Sequence, residues 1–249
     1  MEVRCTQCGA AIEVAPDVRV LACPYCGTAL AVSAEGAVFH ETMVPTVDQG
    51  EAVSHLRRFL AGDATVANLD REAQIGPAEL SYFPFWGFRV RRGGEERTVL
   101  MPAAPSSLQG LQGLALPAGQ TRPMTEDVGG DAPVLEPDVP MATAEEWLHE
   151  REGEVQVLQR VLYHLPMYRL RYRWRGRSFT AGVDAVSGRV FPADFPAKAE
   201  APYLLVAGLS LAVFGVEGLV VGNLLVKAIL YLISAVPLMG VAWLTTRKV

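Results

Sequence analysis

The stretch "ELSYFPFWGFRVRRGGEERTVLM" (79–101) decides how the chain is read, because it occurs twice. It returns as "VLYHLPMYRLRYRWRGRSFTAGV" (161–183), without gaps, at an offset of 82 residues. Pro84 aligns with Pro166, Trp86 with Tyr168, Phe88 with Leu170, Arg89 with Arg171, Arg91 with Arg173, Gly94 with Gly176 and Thr98 with Thr180. Aromatic residues in alternation, followed by a glycine turn and a second extended run, predict a duplicated strand-turn-strand unit. The second copy continues into "VDAVSGRVFPADFP" (183–196), where Asp184, Ser187 and Gly188 mark a hairpin turn and Val190 begins a returning strand.

Each copy follows a helix candidate. In "DQGEAVSHLRRFLAG" (48–62) the apolar residues Ala52, Val53, Leu56, Phe59 and Leu60 have helical spacing, and Gly62 ends the run. In "TAEEWLHE" (143–150) Thr143 and Glu146 have the spacing of a capping box, with Thr143 as the N-cap. The Pro- and Gly-rich residues 102–140 read as a long connection holding at most a short strand or helix.

All four cysteines lie in the first 26 residues, as "CTQCG" (5–9) and "CPYCG" (23–27). Thiolates are soft anionic donors, and each CxxC brings two sulfurs from one tight turn onto a single ion. Gly9 and Gly27 suit knuckles whose backbone takes left-handed angles. The spacer of fourteen residues holds a strand-like "AIEV" and a Pro16-Asp17 turn, and falls just short of the usual span of about 15 to 20. The expectation is structural Zn2+ held by Cys5, Cys8, Cys23 and Cys26, a closed site with no open coordination position. Two disulfides or a redox dithiol are the alternatives; nothing around either pair reads as a βαβ unit.

Alternation along the second copy places Arg169, Arg171, Arg173, Arg175 and Arg177 on one face, opposite Tyr168, Leu170, Tyr172 and Trp174. Arg89 and Arg91 repeat this against Trp86, Phe88 and Val90 in the first copy. The arginine face is a candidate surface for a protein partner or anionic lipid, weighed against an ordinary solvated sheet face with Glu on neighbouring strands. Nucleic-acid platforms place aromatics beside their cations, whereas these aromatics point away into a core. A net charge of −5 over 249 residues also argues against nucleic acid. His40, His55, His149 and His164 form no metal spacing and read as surface or partly buried histidines.

Mean hydropathy is +0.21, raised by "YLLVAGLSLAVFGVEGLVV" (203–221) and "LLVKAILYLISAVPLMGVAWL" (224–244). Each run approaches the roughly 20 residues of a membrane-spanning helix. Lys198 before the first and Arg247 and Lys248 after the second place both ends inside, and the N-terminus lacks a signal sequence. The expectation is two spans in the cytoplasmic (inner) membrane, with the remainder cytoplasmic. Glu217 and Lys227 lie equally far from Gly222 and are an expected intramembrane pair, the alternative being that both lie at the interface and reach water. Gly208, Ala212 and Gly215 share a helix face suited to close packing on the second helix or on another copy.

The expected fold class is α+β: a zinc ribbon (1–34), a first α+β repeat (35–101), the connection (102–140), a second α+β repeat (141–200) and a two-helix transmembrane hairpin (201–249). This order, with "YFPFW", "LPMYRLRYRWRG" and "VDAVSG", resembles a group of bacterial zinc-ribbon membrane proteins. The resemblance implies an adaptor, associated with membrane-stress systems built on phage-shock and flotillin-like partners. A membrane-anchored cytosolic adaptor or scaffold recruiting a protein partner is the expected function, with homo-oligomers through the transmembrane helices a further expectation. A tethered nucleic-acid-binding or regulatory protein is the alternative. No phosphate loop, HExxH or Ser-His-Asp pattern points to an enzyme.

Overall fold

The amino-terminal residues fold as two knuckle hairpins. Strands β1 (Glu2–Arg4) and β2 (Ala11–Glu13) pair antiparallel, as do β3 (Val20–Ala22) and β4 (Ala29–Ser33). The computed structural model describes residues 1–16, 18–33, 36–125, 128, 130–198 and 201–246; side chains at 33, 201–203, 205, 241 and 243–246 stand outside that description. Asp17 of the expected turn, and Arg247 and Lys248 of the topology argument, lie outside the described residues.

The second knuckle hairpin is not a detached module. β4 pairs with β5 (Gly36–Met43), and β5 runs parallel to β9 (Gln156–Trp174), so the ribbon supplies the edge of a mixed sheet of nine strands among the described residues. Its own small core consists of Val3, Ile12, Val14, Leu30 and Val32 around buried Cys5 and Cys23.

The centre of the sheet is built from the repeated stretch. Strand β6 (Gln74–Arg92) pairs with β7 (Glu95–Pro102), and β9 pairs with β10 (Arg177–Asp184). Each strand of the second pair begins and ends 82 residues after its counterpart. β6 and β9 pair antiparallel along most of their length, and Phe83 stands opposite Leu165, its own equivalent. The two copies are thus related by a local twofold axis through that pair. At the middle of this ribbon both faces are buried. Phe85, Tyr163, Leu165 and Met167 lie in one cluster, and Trp86, Phe88 and Leu162 in the other. Tyr163 lies against Gly87, where an added Cβ would come within 2.4 Å of its ring. Gly87→Leu is therefore expected to destabilise by about 1–3 kcal/mol through overpacking, read from urea unfolding.

Helix α1 (Gln49–Leu60) buries Ala52, Leu56 and Leu60. It is started by a reciprocal box that the sequence reading passed over: the Glu51 amide donates to Asp48 at 2.8 Å, and the Asp48 amide donates to Glu51 at 2.9 Å. Between α1 and β6 lies the short α2 (Leu69–Glu72). Helix α3 (Met141–Glu152) begins earlier than expected. Its N-cap is Pro140 without a side-chain hydrogen bond, and Thr143 lies inside the helix, because Met141 and Ala144 are both core residues. The connection contains a short 3-10 helix at Leu111–Gly113 and β8 (Thr121–Pro123), which pairs with β5. At the end of β10, Asp184 accepts the amides of Val186 at 3.0 Å and Ser187 at 3.1 Å, closing the turn into β11 (Val190–Pro192).

Residues 1–60 and 72–195 form one compact unit, and 61–71 with 196–249 form another. In the second unit the Val66 amide donates to Pro196 at 2.9 Å and the Lys198 amide to Ala64 at 3.1 Å. Helices α4 (Ala201–Val220) and α5 (Leu224–Thr246) follow, joined by residues 221–223, with Asn223 accepting the Leu225 amide at 3.0 Å.

The expected transmembrane hairpin, and with it the two-span inner-membrane placement, is corrected here. Among the described residues no helix is long and apolar enough to cross a membrane. Glu217 interrupts the apolar run of α4 and Lys227 that of α5. What the chain forms is a mixed, sheet-rich fold with five α-helices among its described residues.

Candidate functional site

The two knuckles bring all four sulfurs within 4.8 Å of one another. Each is built the same way. The Gly9 amide donates to the Cys5 carbonyl at 2.9 Å and the Gly27 amide to the Cys23 carbonyl at 2.8 Å, with φ of 74° at both glycines. That left-handed angle is why glycine follows each pair. Across the site Cys5 Sγ lies 3.7 Å from Cys26 Sγ, and Cys8 Sγ lies 3.8 Å from Cys23 Sγ. A tetrahedron with metal–sulfur bonds of about 2.3 Å has edges of about 3.8 Å, whereas a disulfide would bring two sulfurs to about 2.0 Å. All four cysteines are free, so the disulfide alternative fails.

Hydrogen bonds from the Thr28 hydroxyl and backbone, helped by Cys23 and Cys8, hold the Cys26 thiol down at about 6. At Cys8 the Ala10 backbone lowers the pKa, but desolvation and the neighbouring sulfurs together push it up to about 11. Four sulfurs this close cannot all ionise without a cation among them. The cysteines can hold a metal ion, and their geometry is consistent with zinc. Cys5 and Cys23 are buried while Cys8 and Cys26 are exposed, so one side of the site faces water. Tyr25, which stands between Cys23 and Cys26 in the chain, is 71% exposed.

The arginines do not form one face. Arg169, Arg171 and Arg173 are exposed on β9, alternating with buried Leu170 and Tyr172. Arg89 and Arg91 are exposed on β6, but near the opposite end of the ribbon. With roughly 3.3 Å per residue, the ten-residue interval from Glu79, which pairs with Arg169, to Arg89 separates the groups by about 30 Å. The apolar cluster of Phe83, Phe85 and Tyr163 lies between them.

Arg175 and Gly176 form the turn, at φ of 47° and 77°. The turn ends the alternation. Arg177 pairs with Trp174, on the face opposite Arg173, and its guanidinium lies 5.2 Å from the Phe179 ring. Arg175 covers Trp174 at 4.4 Å.

Several of these cations already have acidic partners. Glu79 receives Arg169 at 2.7 Å, Glu96 receives Arg89 at 2.7 Å and also Arg91, and Glu72 lies 3.9 Å from Arg175. The hydrogen bond and charge of Arg169, with the charge of Arg171, hold Glu79 below the usual carboxylate range; Arg91 and Arg89 do the same to Glu96. Because these pairs are exposed and screened, Arg169→Gln should leave the urea midpoint unchanged.

Glu217 and Lys227 are not paired with each other. The Ser234 hydroxyl donates to Glu217, and Lys227 Nζ donates to the Gly218 carbonyl at 2.7 Å, so each satisfies a local group on the hairpin. Nor do Gly208 and Gly215 mark close approach to the second helix, since a Cβ at either would meet nothing of the chain within 4 Å. The tight position is Gly218, against the Tyr231 hydroxyl.

The sequence reading missed a buried histidine pair. His40 on β5 and His164 on β9 are 5% and 2% exposed, with His40 Nε2 2.7 Å from His164 Nδ1. His164 Nε2 lies 2.8 Å from the Leu135 carbonyl. That carbonyl can only accept, so His164 donates from Nε2, and its Nδ1 accepts the proton of His40 Nε2. Burial, reinforced by the charge His164 would carry, pulls the pKa of His40 down to about 3, and burial also lowers that of His164. Both rings line a cleft of about 980 Å³ that reaches the ribbon strand β3. The pair is 124 residues apart in sequence, and no local pattern announces it.

No family model, curated protein or solved structure matches the chain.

Proposed function

We propose that the chain is a zinc-stapled adaptor that recruits a protein partner through its ribbon. The four-sulfur cluster, with the exposed Tyr25 in its second knuckle, is the observation that carries this reading. Four protein ligands complete a tetrahedral zinc shell, leaving no position for substrate or an activated water, so the ion organises structure and the work is binding. The knuckle then presents an aromatic ring to solvent on a metal-fixed turn. Aromatic side chains of this kind bury large area at little entropic cost and anchor protein contacts. Against nucleic acid stand the net charge of −5 and the glutamates already seated on Arg89, Arg91 and Arg169. The resemblance of the element order to bacterial zinc-ribbon membrane proteins, of which the four-cysteine cluster fits the ribbon, adds support to the adaptor role.

The test is a photo-crosslinking side chain at position 25 of the full chain, irradiated in nuclease-treated cell extract. The expected result is a discrete protein adduct, lost when Cys23→Ser is added. No protein adduct there, with adducts to nucleic acid alone in a parallel untreated extract, would overturn the proposal.

A further inference from the structure

We propose that the open edge of β3 and the cleft behind it bind an extended peptide, added as a further strand, with an apolar side chain inward and a basic residue beside it. This deepens the adaptor reading by naming the kind of segment such a partner would supply.

The backbone comes first. Among the described residues β3 is the last strand in its direction of the sheet, after β9, β5 and β4. Val20 stands opposite Ala31 and Ala22 opposite Ala29. The Val32 amide donates to Arg19 at 2.7 Å and the Cys23 amide to Thr28 at 2.8 Å, so the hydrogen-bonded pairs of this antiparallel ladder are the odd-numbered residues of β3. The N–H and C=O of Val20 and Ala22 therefore point away from β4, along the open edge. Both residues are exposed, Val20 by 50%. Such an edge is a template for strand addition, in which main-chain bonds give affinity and pockets for alternate side chains give specificity.

The pocket lies on the same face. Pairing partners share a face of the sheet, so Val20 and Ala22 on β3 continue through Ala29 and Ala31 on β4, His40 on β5 and Leu162 on β9 to Trp86 on β6. On the ribbon side this floor is alanine, and the missing side-chain volume leaves the cleft of about 980 Å³ open next to β3. Its far wall is the segment ending in Val139, Pro140 and Met141, and the buried His40–His164 pair closes its inner end. An apolar side chain on a strand beside β3 would pack over the exposed Val20 and Ala22 at the mouth of the cleft and take their surface out of water.

Charge selects the neighbour. Glu136 and Asp138 are exposed at the rim, and Arg19 is the cation lining it. A Lys or Arg in the added strand would meet the two carboxylates, whereas an acidic segment would be repelled by them.

The probe is a fluorescent six-residue peptide alternating Phe and Thr with a Lys at each end, titrated into the full chain. Its partner probe is the same peptide N-methylated on alternate backbone nitrogens. The expected result is saturable binding of the first and at least about tenfold weaker binding of the second. Slow exchange of the Val20 and Ala22 amides should appear only in the complex. Ala22→Pro removes an outward donor without touching the β4 ladder, and Glu136→Lys with Asp138→Lys reverses the rim; each should weaken binding by about tenfold. Binding weaker than about 1 mM, or binding indifferent to N-methylation and to both variants, overturns the proposal. So does slow exchange at Val20 and Ala22 in the free chain, which would mean that the edge is already covered. A Tyr25 adduct with a failed peptide leaves the adaptor reading standing and removes this one; peptide binding with no Tyr25 adduct does the reverse.

Discussion

Cys23→Ser will lose the bound ion and unfold residues 1 to about 30, while the strands of the duplicated sheet keep their protection. The reason is the size of the ribbon. Val3, Ile12, Val14, Leu30 and Val32 form a core too small to hold short strands of three to five residues by burial alone. Structural zinc contributes about 10–16 kcal/mol of apparent binding energy in small sites, and there binding energy is folding energy. The central strands depend instead on two larger clusters around Phe85 and Trp86, which contain no cysteine. Elemental analysis together with amide exchange checks both halves of the result. Unchanged metal content in the variant, or global loss of protection, would contradict it.

The second large effect is acid sensitivity through the histidine pair. In the folded chain His40 is neutral, with a pKa lowered to about 3 from an ordinary 6.5. Below pH 6.5 the unfolded chain therefore takes up a proton that the folded chain refuses. The stability contributed by neutral His40 is complete above 6.5 and is lost, by about 1.4 kcal/mol per pH unit, as pH falls toward 3. His164 is shifted in the same direction and adds to the slope. Urea unfolding between pH 6.5 and 4.5 should give a steep fall for the native chain and a shallower one for His40→Gln, even though that variant starts from lower stability. Equal slopes would mean that the pair is not buried in neutral form.

A smaller expectation concerns Tyr172. Its hydroxyl is buried without a hydrogen-bond partner among the described residues, and its ring stacks on Phe179 at 5.2 Å. Tyr172→Phe keeps the stack and removes the orphaned group, so it should be neutral or stabilising by about 1 kcal/mol in urea unfolding.

What could be read in the sequence was what repeats locally. The alternation of "FRVRR" and "YRLRYRW" has period two, and the residues concerned lie on β6 and β9 with Phe88, Val90, Leu170 and Tyr172 buried and the arginines between them exposed. The cysteine spacing and Gly9 and Gly27 described the knuckles for the same reason, since each is a single turn of chain. Alternation failed at the Arg175-Gly176 turn, where a hairpin returns Arg177 to the face of Trp174. It also could not reveal that the two arginine groups sit at opposite ends of one antiparallel pair, because register is a property of two strands. The start of α3 was misplaced because burial of Met141 outweighed the capping pattern at Thr143. The histidine pair and the cleft required β5 to lie parallel to β9, a contact no window of sequence contains. Hydropathy alone suggested membrane spans from composition and gave too little weight to Glu217 and Lys227, each of which bonds within the hairpin.

The central claim is that the four cysteines form a closed structural metal site, which makes the ribbon a binding module. X-ray absorption at the zinc edge of the purified full chain tests this most directly. The account predicts one zinc per chain with a first shell of four sulfurs at about 2.3 Å and no oxygen or nitrogen. A shell of three sulfurs with one oxygen at about 2.0 Å would reveal an open coordination position and contradict it.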